Sequence, residues 1–279
     1  MRWINKKRGY FKQMGHHLVD SFLKEAWNED VSSYINCTFD NYRREGKITE
    51  ILLQEQHYYC CYCMRKIGVS KVNGKTTLEH IIPFKASKNE FDNYLKKVPN
   101  YFIKNVTWER EEVISKEIKE IITPPYPHIL AYENIVASCD GSIGSPTEEY
   151  FGNLHNTCNN FRGKKEIIPI FLFKKVFKQI KYTKDGKIIY SEKYQETIEA
   201  LNLNYPTLVL IRKSWFEISR YHKPLEVRNA IRDNKLRNGI MIDTALSESE
   251  KETFVKSDMM WNLLSQYDWF YKYYRKHYK

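Results

Sequence analysis

The sequence predicts an α+β chain that is mainly helical, with a small metal-held module at 60–168 between helical regions at 1–59 and 169–279. Three observations carry this. Apolar residues recur three and four apart on both flanks, the period of helices that bury one face. An Asn73-Gly74 pair divides two β-prone segments, a strong short signal for a hairpin turn. Cysteines at Cys-x-x-Cys spacing, Cys60 and Cys63, open the middle region, with Cys139 and Cys158 downstream.

With 279 residues and 42% apolar content, the chain can build a substantial core without disulfides. It lacks the run of about eighteen apolar residues that a membrane helix needs, and its basic start, Met1 to Arg8, is not followed by a signal peptide's apolar segment. A cytoplasmic protein with no membrane association is the expectation. Forty-five Lys and Arg against thirty-four Asp and Glu give a formal charge of +11. Such a balance suits a polyanion, because neutralising phosphates releases counterions, and the aromatic richness points the same way, toward nucleic acid. Six cysteines are too sparse for a disulfide scaffold, which leaves metal ligation as the better use for four of them. No Walker-type Gly-rich Lys-Ser/Thr loop occurs, so any ATP use must come from a partner.

In chain order, Trp3 to Lys12 is a basic, aromatic lead. From Leu18 to Gln56 the pattern is helical, with Phe22, Leu23, Ala26 and Trp27 on one stripe and Ile48, Ile51, Leu52 and Glu55 on another. Cys37, inside that stretch, is assigned to packing, and His57, at its end, to a structural role. The Asn73-Gly74 turn pairs 64–72 with 75–81 and returns Glu79 and His80 toward the Cys60–Cys63 knuckle. Pro83 closes that strand. A charged insert at about 85–125 reads as two helices broken near Pro99-Asn100, the second with a narrow seam of Val113, Ile114, Ile118 and Ile121. Thr123-Pro124-Pro125 stops it. Tyr132 to Cys139 is a short apolar strand, followed by a Gly/Ser/Pro-rich loop. After Pro169, Asp185-Gly186 marks a second hairpin, and 196–203 and 208–221 are helical. Ser247-x-x-Glu250 is a capping box for a final helix. The end, Trp269 to Lys276, interleaves aromatics with cations and suits a core helix, base stacking or a docked partner.

Two thiols at Cys-x-x-Cys spacing grip one metal, and a tetrahedral zinc site needs two further ligands. Cys139 and Cys158 are the leading pair, although eighteen residues lie between them. His155-x-x-Cys158 has tight spacing, so a Cys₃His set with Cys139 free competes with Cys₄. Soft thiolates select zinc, while Glu79 beside His80 offers a hard oxygen ligand and a base near neutral pH.

Glu79-His80-Ile81-Ile82-Pro83, then Asn134-Ile135 with a cysteine five residues after the asparagine, then Cys158-Asn159 followed by Arg162-Gly163, resembles the ββα-metal finger of HNH endonucleases. The broader arrangement is similar to the HNH nuclease subunits of Septu antiphage systems and of retron-associated systems. It has a Lys-bearing start, a helical lead-in to Cys-x-x-Cys, and Thr197-Ile198-x-x-Leu201-Asn202-Leu203-Asn204 before Arg212. The resemblance implies a ββα-metal finger embedded between helical regions, cleaving DNA with a catalytic set of His80, Glu79, Asn134 and Asn159. His80 matches the general base. Glu79 and Asn159 match the ligands of a catalytic Mg²⁺ or Mn²⁺, with Asn160 a substitute, and Asn134 matches the asparagine that braces the histidine loop. Arg162, Lys164 and Lys165 would meet phosphate, and Cys60, Cys63, Cys139 and Cys158 would hold structural zinc. An ATPase subunit of a prokaryotic defence complex is the implied partner.

Fifty-three residues separate His80 from Asn134, far more than in the plain finger, as does the long Cys139-to-Cys158 loop. Insertions at loop tips cost little free energy. A zinc-stabilised nucleic-acid-binding protein without catalysis and a standalone restriction-type nuclease are the competing readings. Self-association as a homo-oligomer is left open.

Overall fold

The computed structural model describes residues 1–68, 76–109, 114, 123–144, 154–175, 179–233, 235–236, 246–256 and 258–278. Helices dominate, and the described strands are short and paired two at a time, so the chain is α+β and mainly helical.

Helix α1 (Tyr10–Ala26) buries Gly15, Val19, Leu23 and Ala26, positions three and four apart that share one face. Glycine is required at 15, since a Cβ there would lie 2.3 Å from the Tyr132 ring. The helical stretch expected from Leu18 to Gln56 is divided. After α1, Trp27–Asn28 pairs antiparallel with Ser33–Tyr34. Then come α2 (Phe39–Arg44), whose Thr38 cap accepts from the Asn41 N–H at 3.2 Å, and α3 (Lys47–Glu55), which buries Ile48, Ile51 and Leu52.

Strand β1 (Thr76–His80) pairs antiparallel with β2 (Ile135–Cys139), Thr76 opposite Cys139 and His80 opposite Ile135. The partner expected from the Asn73-Gly74 turn, 64–72, lies outside the described residues from 69 onward, and β2 is the partner that the described residues give this strand. The wholly buried run of β2 supplies a full ladder, and among the described residues Lys66 bridges Tyr59. The Asn73-Gly74 turn lies outside the described residues, but Thr76 Oγ1 donates to Gly68 O at 2.7 Å, so the ends of that excursion meet. Between β1 and β2 run α4 (Lys88–Leu95), with a Ser87/Glu90 capping box, and α5 (Asn100–Ile103), begun after Pro99. Most of the expected second insert helix, 110–113 and 115–122, also lies outside the described residues.

Beyond β2, β3 (Ser142–Gly144) and β4 (Leu154–Asn156) pair antiparallel, and α6 (Cys158–Arg162) packs on β2. The predicted Asp185-Gly186 hairpin joins β5 (Ile180–Tyr182) to β6 (Ile188–Tyr190). Helices α7 (Gln195–Ala200), α8 (Pro206–Tyr221) and α9 (Pro224–Arg232) follow, the last two begun by proline where no backbone donor is needed. The Ser247/Glu250 capping box forms, with bonds of 2.7 and 3.3 Å, at the head of α10 (Glu248–Lys256). Beyond residue 257, which lies outside the described residues, come α11 (Asp258–Ser265) and, after a turn, α12 (Trp269–His277), the latter packed along α8. One apolar core runs from Met1 and Val19 through β2 to Trp215 and Tyr274. No helix among the described residues is long and apolar enough to cross a membrane.

Candidate metal centre and the residues around it

The first thiol pair sits at the tip of a tight turn. Tyr59 bridges Lys66, Cys60 N–H donates to Arg65 O at 2.8 Å, and Met64 closes the turn at φ 68°. Tyr62 N–H donates to Cys60 Sγ at 3.4 Å, so the turn's backbone is already aimed at a thiolate. The second pair comes from the chain's middle, Cys139 at the end of β2 and Cys158 at the start of α6. The long stretch between them folds back as β3 and β4, which returns its ends to one place and accounts for the wide spacing. Gly141 makes the closure possible: at φ 77° it packs against Thr157, and a Cβ would lie 2.0 Å from Thr157 O.

All four sulfurs lie within 4.8 Å of one another, fully enclosed, and Cys63 Sγ is 3.7 Å from Cys139 Sγ. Ligands about 2.3 Å from a tetrahedral zinc stand about 3.8 Å apart. Burial pushes the Cys60 thiol up, but hydrogen bonds from Cys139, Cys158, Cys61 and Cys63 outweigh it and hold Cys60 well below the usual range. Four soft sulfur donors at this spacing fit zinc. Tyr267 supports the cluster from the C-terminal region, its hydroxyl 3.7 Å from Cys63 Sγ. His155 is not in the cluster: it pairs with Ile143 on β3, and its ring stacks on Tyr205 at 5.3 Å. The geometry thus selects Cys₄ over Cys₃His. Cys61 and Cys37 are buried and also stand outside the cluster.

Glu79 is 8% exposed, and its Oε1 takes a 2.5 Å ion pair from Arg162 Nη1. Burial is the larger effect and pushes its pKa up to about 7, with Arg162 opposing. Arg162, expected to meet phosphate, faces inward instead. It is 1% exposed and donates to Glu79, the Tyr62 and Tyr94 hydroxyls, and the carbonyls of His80, Ile81 and Lys165. These contacts fasten α6 to β1 and to the turn beyond it. Lys164 and Lys165 are exposed, and Lys165 Nζ lies 4.4 Å from the Phe161 ring centroid. On the same face of β1 as Glu79, Thr77 Oγ1 accepts from Asn159 Nδ2 at 3.4 Å, leaving Asn159 Oδ1 for another partner. Asn160, its neighbour on α6, is exposed.

Strand alternation turns His80 to the opposite face from Glu79. Its Nε2 lies 3.0 Å from Ile129 O, so Nε2 carries the proton and Nδ1 the lone pair. Phe39 and Phe84 flank the ring at 4.4 and 5.6 Å. Burial lowers the His80 pKa to about 4, so the ring is neutral at pH 7. Asn134 is fully enclosed and braces the turn after His80. Its Oδ1 accepts from Ile82 N–H at 2.7 Å, and its Nδ2 donates to Ile82 O at 3.0 Å and His128 O at 2.8 Å.

Two contributors have no sequence signal that could have marked them. Gln56 stands beside β2 like a further strand, bonding both the N–H and C=O of Ala137 at 2.9 and 2.7 Å, and ties α3 to the cysteine module. His128 is fully buried next to the His80 loop, edge-on to Phe91 at 5.6 Å, and burial lowers its pKa to about 4. Comparison of the chain with family models, with curated proteins and with solved structures returned no match.

Proposed function

We propose that the chain is a metal-dependent endonuclease of the HNH type that hydrolyses DNA, with β1, β2 and α6 as a zinc-held ββα-metal finger. One observation carries this reading. The antiparallel β1–β2 pair and α6 close on the four-cysteine node, while Asn134 and Asn159 turn back onto the segment that carries Glu79 and His80.

A catalytic Mg²⁺ or Mn²⁺ would be held on the α6 face of β1, where the Glu79 carboxylate and Asn159 Oδ1 are the hard oxygen donors. Bound there, it supplies positive charge against the oxyanions of the reacting phosphate. Glu79 would have to share its carboxylate between that cation and Arg162, which keeps its remaining acceptors and so can stay in place. His80 supplies the base: neutral, fixed by Ile129 O and holding its lone pair on Nδ1, it takes the proton of the attacking water. A phosphate anion alongside raises its pKa from about 4 toward the working range. Since Glu79 and His80 alternate on β1, one phosphodiester meets both only across the strand's end. The motif resemblance further supports a role in prokaryotic antiphage defence beside an ATPase subunit.

The Glu79–Arg162 pair and the packing of His80 between Phe39 and Phe84 favour a second reading, a zinc-stabilised DNA-binding protein without catalysis. The test is supercoiled plasmid incubated with zinc-loaded protein, with and without added Mg²⁺ or Mn²⁺, alone and with an ATPase encoded beside it. Nicked or linear product that requires the added cation supports the nuclease. Plasmid bound but uncut under every condition establishes the second reading.

A further inference from the structure

Far along the chain from the cysteine module, α9 and α12 line a groove of about 580 Å³. Lys66, Arg228, Arg232, Lys272, Arg275 and Lys276 line it, against a single carboxylate, Asp268. That carboxylate is already engaged, pairing with Lys66 at 2.8 Å and accepting from the Tyr59 hydroxyl at 2.8 Å. Arg232 has Asp233 beside it at 2.8 Å, and Arg275 reaches His222 O at 3.3 Å. Among the described residues no carboxylate pairs with Arg228, Lys272 or Lys276.

The arrangement is linear. Arg228 and Arg232 stand four apart on α9, and Lys272 and Lys276 four apart on α12, so each row runs about 6 Å along its helix. Like charges at that spacing repel, and the fold sets two such rows across one groove. Between them lie Val227, Ile231 and the largely buried Tyr271, whose hydroxyl donates to His222 O at 2.8 Å. An apolar floor between two cationic rows matches a chain that alternates apolar sugar with anionic phosphate. Lys66 joins the groove to the cysteine turn, its backbone N–H donating to Gln266 O at 2.6 Å.

We propose that this groove grips the sugar–phosphate backbone of DNA away from the scissile bond. The inference rests on the nuclease reading for the identity of the polyanion. The rows suit a linear polyanion better than a small phosphate, which needs donors converging on one point. The groove would therefore supply affinity without sequence preference, and a salt-dependent share of it.

The experiment measures binding in the absence of added divalent cation, so cutting plays no part. A labelled duplex is titrated by anisotropy across a salt series with wild type and with Arg228→Gln/Lys272→Gln/Lys276→Gln. These three residues are on the surface or rim, and an unchanged melting temperature checks folding. Loss of three phosphate contacts should flatten the log–log salt slope by about 2.7 and weaken binding on the order of 10²-fold at 0.1 M salt. The charge-reversed Glu triple should weaken it further. Unchanged affinity and slope in both triples overturn the proposal. So does a loss of polyglutamate or ATP binding, measured in parallel, with duplex binding intact, which would assign the groove to an acidic peptide or a nucleotide. Binding that depends on the groove, in a protein that never cuts, leaves this inference standing and removes the nuclease reading. Cutting by triples that bind normally does the reverse.

Discussion

Asn134→Ala should destabilise the chain severely, because one side chain satisfies three enclosed backbone groups. Ile82 N–H, Ile82 O and His128 O would each lose a partner held at 2.7 to 3.0 Å. A buried polar group left unpaired costs about 1–3 kcal/mol, so the three together give roughly 3–6 kcal/mol after partial relaxation. That is a large part of a domain's total of about 5–15 kcal/mol. Asn134→Asp keeps the acceptor for Ile82 N–H but sets a carboxylate against two carbonyls, so at pH 7 it should be no better than alanine. It should recover partly on acidification, as a protonated carboxyl donates to one carbonyl again. Guanidinium unfolding of zinc-saturated protein at pH 7 and pH 5 measures both. An alanine variant within about 1 kcal/mol of wild type, or an aspartate variant as stable as wild type at pH 7, would refute the bracing role.

Three further outcomes follow from the same geometry. Cys139→Ser should lose bound zinc by native mass spectrometry while His155→Ala keeps one ion per chain, and the opposite pattern would restore the Cys₃His set. Gly141→Ala must force a Cβ toward Thr157 O at a left-handed φ, a strain of about 1–2 kcal/mol before any clash, so zinc should be released at lower chelator concentration; unchanged release would show that the closure tolerates a side chain. The folded pKa of His128, near 4, lies below the ordinary 6.5, so the unfolded chain takes up the proton first and stability falls as pH drops from about 6.5 to 4. His128→Phe should shrink that loss by about 3 kcal/mol in unfolding free energies taken at pH 7 and pH 4, and an equally steep loss in the variant would place the titration elsewhere.

The cysteine knuckle, the Asp185-Gly186 hairpin and the Ser247/Glu250 cap were legible because each is a short-range signal whose chemistry lies within a few residues. The β2 partner of the Glu79-His80 strand was not, since Ile135 to Cys139 lies far along the chain and no local signal joins the two segments. Arg162 misled for a related reason. Beside Lys164 and Lys165 it looks like one more surface cation, and only tertiary packing shows six acceptors gathered around it. The wide Cys139-to-Cys158 spacing looked anomalous because the Gly/Ser/Pro-rich stretch after Cys139 signals a loop and does not show that its flanks pair as β3 and β4 and shorten it in space. His128 follows a proline cluster that announces a stop and says nothing of what the stop packs against.

The most direct measurement compares initial rates of cation-dependent plasmid cleavage by wild type and His80→Ala, with matched zinc content and matched DNA affinity. Removing a general base costs about 10²–10⁴ in rate. A loss of that size, with binding unchanged, is the predicted result. Equal cleavage by the two proteins would contradict the assignment of the chemistry to His80 at the end of β1.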